Sequence, residues 1–296
     1  MKDALVRLHT AVFLWGFTGV LGRAISLNEG WLVWWRMFIT AVSLWILFYF
    51  LKRIRKISLK DFLKIAAIGT VLSLHWLCFY GSIKYANVSI ALTCLSTSGL
   101  LSAIIEPIFF RRRIDASEII LGMFALGGIA LIYATNLSYS IGIYVGLLAA
   151  FLTVLVSVMN KKLIHGFPAE TITLYQLTGG FVGLSILLPL YNYVFPSIHN
   201  IPQHLDWLWL LILSWLCTIL TFMLYINSLK KVSAFTVNLT LTLEPVYGII
   251  LAFLIYHENK TLSKYFFLGF GLIFIAVILQ MFRLVKQQIK LPVDAL

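Results

Sequence analysis

Trp76–Lys84 reads WLCFYGSIK and Phe222–Lys230 reads FMLYINSLK. Laid over each other, they put Ser82 on Ser228 and Lys84 on Lys230 at one constant offset. Carried backwards, that offset brings Lys60-Asp61-Phe62-Leu63 within one residue of Leu205-Asp206-Trp207-Leu208. Carried forwards, with a shift of one residue, it brings LGMFALGGIALI from Leu121 onto LGFGLIFIAVIL from Leu268. One pattern is therefore written twice in the chain, as an internal repeat.

The repeated units are strongly apolar. Of the 296 residues, 61% are hydrophobic and 11% charged, and mean hydropathy is +0.95. A soluble domain carries roughly a quarter charged residues, so an aqueous surface is excluded. A membrane-crossing helix needs about 20 mostly apolar residues. Runs of that kind lie near 8–26, 31–51, 62–84, 88–110 and 117–135, and again near 141–160, 169–191, 206–229, 232–256 and 262–284. The expected fold is an all-α integral membrane protein with ten transmembrane helices as two five-helix inverted repeats. Residues 1–136 form the first repeat, 137–286 the second and 287–296 a cytoplasmic tail. Five spans is an odd number, so two tandem units must lie in opposite orientations.

The charges orient the chain. Lys2, Arg7, the cluster from Lys52 to Lys64, Arg111–Arg113, Lys161, Lys162, Lys230, Lys231, Arg283, Lys286 and Lys290 fall on one side; Lys84, Lys260 and Lys264 fall on the other. Cytoplasmic loops are rich in Lys and Arg, so both termini are expected in the cytoplasm of a bacterial inner membrane. The first apolar run has no cleavage-like end and is read as a retained helix. The net charge of +12 sits in short loop blocks and not on a basic-aromatic face, so no nucleic-acid partner is expected. The three cysteines, Cys78, Cys94 and Cys217, lie far apart in apolar runs. They form no metal or disulfide pattern, and no cofactor is expected.

Several stretches carry a family resemblance: AVFLWGFTGVLGRA at 11–24, YGSIKYANVSIALT at 80–93, YINSLKKVSAFTVNLTLTLEPVYGIILAFLIYHE at 225–258, and LGFGLIFIAVIL at 268–279. In order and spacing they resemble the EamA-like family of the drug/metabolite transporter superfamily. The resemblance implies inner-membrane metabolite transport, often export, through a central cavity between the two halves. The chain departs from the family pattern at Ser98, where proline is common, and near Arg112, where an acidic residue is common.

Charges inside spans are costly and usually face a cavity or a partner. Glu244 falls near the middle of the ninth span, on a small polar stripe with Thr240, Gly248 and Ala252. It is a candidate for substrate binding and for proton coupling, against simple packing of the two halves. Asn238 and Thr242 form a second stripe on that span, and Ser96 is a first-half counterpart. Arg36 lies a little over one turn into the second span; it either snorkels to the interface or clamps an anionic group. Tyr80 and His75 share the third span with Trp76, and Trp15 lies one turn before Gly19 in the first. Glu106, close to Arg111–Arg113, reads as an interfacial ion pair. His257-Glu258 lies in a loop and is not part of an HExxH motif.

The function these features imply is a secondary transporter, an exporter, of small metabolites such as amino acids, working by alternating access. Its partners would be a small-molecule substrate and membrane lipids. A flippase of a lipid-linked intermediate is the alternative. A membrane-embedded enzyme fits less well, since no HExxH, intramembrane Asp pair or glycine-rich phosphate loop occurs.

Overall fold

A computed structural model describes residues 2–111, 116–135, 137–163, 166–229, 240–241 and 243–289. All regular structure among the described residues is helical: α1 (Lys2–Ala24), α2 (Glu29–Phe50), α3 (Leu59–Tyr85), α4 (Val88–Ser96), α5 (Ser98–Phe109), α6 (Ala116–Thr135), α7 (Ser140–Leu163), α8 (Ala169–Val194), α9 (Asp206–Ser214), α10 (Thr221–Leu229), α11 (Glu244–Tyr256) and α12 (Lys264–Ile289). The starts of α2, α3 and α4 follow from sequence. Asn28, Ser58 and Asn87 each accept a hydrogen bond from a first-turn N–H, satisfying a donor the helix cannot.

Seven helical stretches among the described residues are long and apolar enough to cross a membrane: Asp3–Ala24, Glu29–Phe50, Leu59–Tyr85, Val88–Phe109, Leu137–Leu163, Ala169–Val194 and Asp206–Tyr225. Three further apolar helices, Ile120–Thr135, Glu244–Tyr256 and Lys264–Leu279, are shorter. Large apolar side chains such as Ile46, Leu126, Ile186 and Leu254 are exposed on the outside of the bundle, where a lipid solvent accepts them.

Inside, α3 packs against α7 and α8, α1 against α10 and α11, α2 against α8, α4 against α7 and α11, and α6 against α12. Small residues set these approaches, as expected where lipid gives no hydrophobic drive between helices. A Cβ on Gly69 would lie 1.9 Å from the carbonyl oxygen of Gln176, so α3 and α8 touch backbone to backbone. The main core joins Leu32, Met37, Phe79, Leu92, Leu174 and Leu213.

The same tightened turn occurs at two places, at Thr97 between α4 and α5 and at Leu243 just before α11. Between α4 and α5, Thr97 N–H bonds the Cys94 carbonyl at 3.1 Å, and Leu101 N–H bonds Thr97 at 2.9 Å. Before α11, Leu243 N–H bonds the Thr240 carbonyl at 3.0 Å, and Tyr247 N–H bonds Leu243 at 2.9 Å. Glu244 therefore starts a helix and does not sit inside one, as the sequence suggested. Pro245 explains this: its missing N–H costs nothing in a first turn. The stretch Trp215–Leu220, between α9 and α10, is a π-helix.

Candidate functional site

The bundle has two ends. One holds the loops with Ser26, Asn87 and Glu258; the other holds Arg53, Lys161 and Glu170. In the interior between them lies Arg36 of α2, with 4% of its surface exposed. Its Nε and Nη2 donate to Thr218 Oγ1 at 3.3 and 2.9 Å, and its Nη1 donates to the Tyr80 hydroxyl at 2.7 Å. The guanidinium carbon lies 3.8 Å from the centroid of the Trp76 ring, a cation–π contact in a desolvated place. Arg36 thus points into the protein, which corrects the alternative that it snorkels to the interface.

Each partner is held by local structure. Tyr80 is fully buried, and Gly22 of α1 makes the space: a Cβ there would lie 2.2 Å from the Tyr80 ring. Thr218 lies in the π-helix and donates its hydroxyl to the Leu213 carbonyl at 2.9 Å. Its oxygen is thereby fixed to accept from Arg36. A π-turn often marks a functional position in a helix, and nothing in the sequence pattern had singled Thr218 out.

Glu244 begins α11, half-buried within the bundle. Among the described residues no donor bonds its carboxylate. Arg36 is near enough to act on it electrostatically, and on His75 and Cys217 as well. Beside it, α1 and α11 approach closely, since a Cβ on Gly16 would lie 3.0 Å from Tyr247 Cβ and 3.5 Å from the Glu244 carbonyl oxygen. His75 Nδ1 lies 2.8 Å from the Ala149 carbonyl, which ties α3 to α7. Trp15 packs on Tyr225 with ring centroids 5.6 Å apart. The Ser96 hydroxyl donates back to Thr93 O at 2.6 Å, next to the break at Thr97. Asn238 and Thr242 lie outside the described residues. The structure therefore brings Arg36 and Tyr80 into contact and sets Glu244 and His75 within electrostatic reach. Trp15 and Ser96 have neighbours of their own.

The Glu258 end is closed by polar contacts. Glu258, 2% exposed, accepts from Val88 N–H at 3.0 Å, Ser89 N–H at 2.8 Å and the Ser89 hydroxyl at 2.5 Å, and it pairs with Arg23. It thus caps α4 from across the bundle, where a carboxylate also meets the positive end of the helix dipole. Arg23 lies over the Tyr256 ring, 4.3 Å from its centroid. Asp206 accepts from Ser26 N–H at 2.8 Å and from its hydroxyl at 2.5 Å. Lys84 donates to the Ile25 carbonyl, and Glu29 accepts from Tyr191 and from Tyr85. Sequence reasoning passed over Glu258, Asp206 and Glu29. The available signal was that each acidic residue borders a span at the end poor in Lys and Arg.

At the Arg53 end a cleft of about 80 Å³ runs in between α2, α8 and α10, lined by Phe48, Arg53, Glu170, Thr173, Thr218 and Phe222 among others. Arg53 and Glu170 face each other at 3.6 Å near its mouth, and Thr218, the Arg36 partner, lies in its wall. Glu106 pairs with Lys161 of α7. The closed end and the cleft thus lie on opposite sides of Arg36.

The model describing the EamA-like transporter family matches residues 4–134 and residues 140–282. The chain belongs to this family. It is 25% identical over 202 residues to the uncharacterized transporter YxxF of Bacillus subtilis, covering 66% of this chain and 63% of that one. It is 26% identical over 131 residues to the uncharacterized transporter sll1164 of Synechocystis, covering 44% of this chain and 37% of that one. The match thus spans less than two thirds of either relative. A solved crystal structure shares the fold of this EamA-family chain, with a TM-score of 0.62 at 15% identity, over 98% of this chain and 100% of that one.

Proposed function

We propose that this chain is a secondary transporter that exports small metabolites, amino acids among them, across the bacterial inner membrane. It works by alternating access of residues 1–136 against 137–286, with cargo held near Arg36, Tyr80 and Glu244. The ten helical spans, of which the fifth, ninth and tenth are shorter, form two inverted repeats, and both termini and the tail at 287–296 face the cytoplasm. The Arg53 end is then the cytoplasmic one, because it carries the Lys and Arg blocks.

The observation that carries this reading is the matched pair of helix breaks. By the Ser82–Ser228 offset, Thr97 corresponds to Leu243 and Cys94 to Thr240, and the same short backbone bonds recur at both. Secondary transporters place their sites where helices depart from regular form at equivalent positions of two repeats, and a shared tightening is a mild form of that. Two further facts support it. The Ser82 hydroxyl donates to the Gly142 carbonyl at 2.7 Å, and the Ser228 hydroxyl to the Ala4 carbonyl at 3.0 Å. Moreover, α3 packs on α7 and α8 as the α9–α10 span packs on α1 and α2, an interchange of first and second halves.

The test is counterflow in proteoliposomes holding the full chain, with labelled amino acids, nucleobases, polyamines and sugars. Saturable exchange of at least one solute is expected. No exchange of any water-soluble solute would refute the proposal and leave a lipid-linked cargo. Transport unchanged by Glu244→Gln at every pH tested would remove proton coupling through that residue.

A further inference from the structure

We infer that the interior site selects a zwitterionic solute, whose carboxylate is received by Arg36 and whose cationic group is received by Glu244. This rests on the transporter reading above and deepens it by assigning the specificity to two residues.

Arg36 has five N–H donors, and three hydrogen bonds engage them among the described residues. All three go to neutral hydroxyl oxygens, and no carboxylate lies at ion-pair distance from Arg36 among the described residues. A guanidinium so buried is costly without a counter-charge. Its fork geometry matches a carboxylate. Thr218 and Tyr80 hold the group in place without neutralising it, which leaves donors and charge available to a visitor.

Glu244 poses the complementary demand. Its carboxylate lies inside the bundle with no donor among the described residues. Glu244 and Thr218, the residue that holds Arg36, also lie at a similar depth. Thr218 is twelve residues into its span from Asp206, and Glu244 is twelve residues from the end of α11 at Tyr256. Both starting points lie at the closed end, so Thr218, which accepts from Arg36, and Glu244 lie at a similar depth, about 18 Å by the α-helical rise. Arg36 comes from the first half and Glu244 from the second. A solute carrying both charges would compensate both residues and join the halves. Arg36 and Glu244 act on each other only at a distance, so a singly charged solute leaves one of them without a direct partner, and a neutral solute leaves both.

The cleft from the Arg53 end supplies a route, since its wall includes Thr218. A solute entering there meets the Arg36 partner first. Trp76 covers one face of the guanidinium, so an anionic group must approach in the guanidinium plane, along the remaining N–H bonds.

The experiment uses counterflow by the full-length protein with the 20 proteinogenic amino acids, and then with two derivatives of the best one. The amide lacks the carboxylate, and the N-acetyl compound lacks the ammonium. Truncating one partner of a buried charge pair typically weakens binding by about 30-fold or more, and each derivative is expected to lose exchange on that scale. In Glu244→Gln the penalty on the N-acetyl compound, relative to the parent, should shrink towards none; in Arg36→Gln the penalty on the amide should shrink likewise. Derivatives exchanged as well as the parent would overturn the inference, as would mutants that keep wild-type selectivity. The wild-type comparison stands even where a mutant does not fold. Exchange of a sugar, nucleobase or polyamine but of no amino acid would overturn the zwitterion assignment and keep the transporter reading. Exchange of nothing would overturn both.

Discussion

Replacing Glu258 by Gln should loosen the closed end, and the structure sets the scale. The two carboxylate oxygens take the Val88 and Ser89 N–H groups, the Ser89 hydroxyl and the Arg23 guanidinium. Gln keeps one accepting oxygen and puts an NH2 donor where the other was. If that oxygen remains with Val88 and Arg23, the Ser89 N–H faces another donor. Hydrogen bonds to charged groups are worth about 1.5–3 kcal/mol each. The Ser89 hydroxyl can turn to accept, so roughly one such bond and part of a second are lost, about 2–4 kcal/mol. Every 1.4 kcal/mol is tenfold, so the ratio of open to closed should rise by about 30-fold or more. Arg23 is 40% exposed and can turn to water, so Arg23→Gln should matter far less, under about 1 kcal/mol. A reporter is Val20→Cys, buried about one turn below Arg23, in a background with Cys78, Cys94 and Cys217 replaced. Its labelling by an impermeant thiol reagent should speed up in Glu258→Gln and hardly change in Arg23→Gln. Labelling within threefold of the parent, with an unchanged melting temperature, would refute the idea that this carboxylate holds the end shut.

Gly69→Ala should destabilise the protein by about 1–3 kcal/mol or more in detergent melts, because its Cβ would meet backbone of α8; Gly99→Ala, with open space around it, should be neutral or slightly stabilising. Ser82→Ala and Ser228→Ala should cost similar amounts, about 1 kcal/mol or less each, and a large inequality in melting would count against their equivalence. Arg53→Gln should change stability by under about 1 kcal/mol, since the pair is partly exposed, while a reversal at Arg53 should slow export and be rescued by Glu170→Arg in the same counterflow assay. In the resting protein, Met223→Cys, in the cleft wall, should label faster than Val20→Cys.

Sequence carried the fold further than the site. The membrane class came from length and hydropathy, which act on whole helices and tolerate local error. The repeat came from Ser82 and Ser228, whose hydroxyls the structure shows bonding a backbone carbonyl of a neighbouring span. The breaks at Thr97 and Leu243 were not visible in the same way. Periodicity treats a 20-residue apolar run as one rod, and a one-residue tightening leaves it nearly unchanged. Pro245 was a signal for the second break, but proline inside a membrane span is common enough to be discounted. Arg36 stood out in the sequence, yet snorkelling to the interface and clamping an anion were equally open there. Its fate depended on Tyr80, Trp76 and Thr218, which come from other helices. Glu258 was passed over for the same reason: its partners are Val88 and Ser89, 170 and 169 positions away.

The two ends of the bundle are chemically unlike, and on the repeat reading this has a direction. By the Ser82–Ser228 offset, Glu258 corresponds to Arg112; by the Leu121–Leu268 offset it corresponds to Arg111. A carboxylate there could cap a helix start at the Arg53 end, as Glu258 caps α4. An arginine cannot, because guanidinium has no acceptor and the helix start is itself positive. A symmetric pair of repeats would weigh its two conformations about equally, whereas this chain lacks in sequence the carboxylate that would latch the second. On the proposed alternating-access reading, the balance leans towards closure at the Glu258 end, with the cleft open to the side that carries the Lys and Arg blocks. For the exporter proposed above that is the useful bias: the empty protein would wait with its site towards the cytoplasm. On that proposal, cargo bound between Arg36 and Glu244 would supply the free energy that draws the halves together at the Arg53 end and breaks the contacts of Glu258.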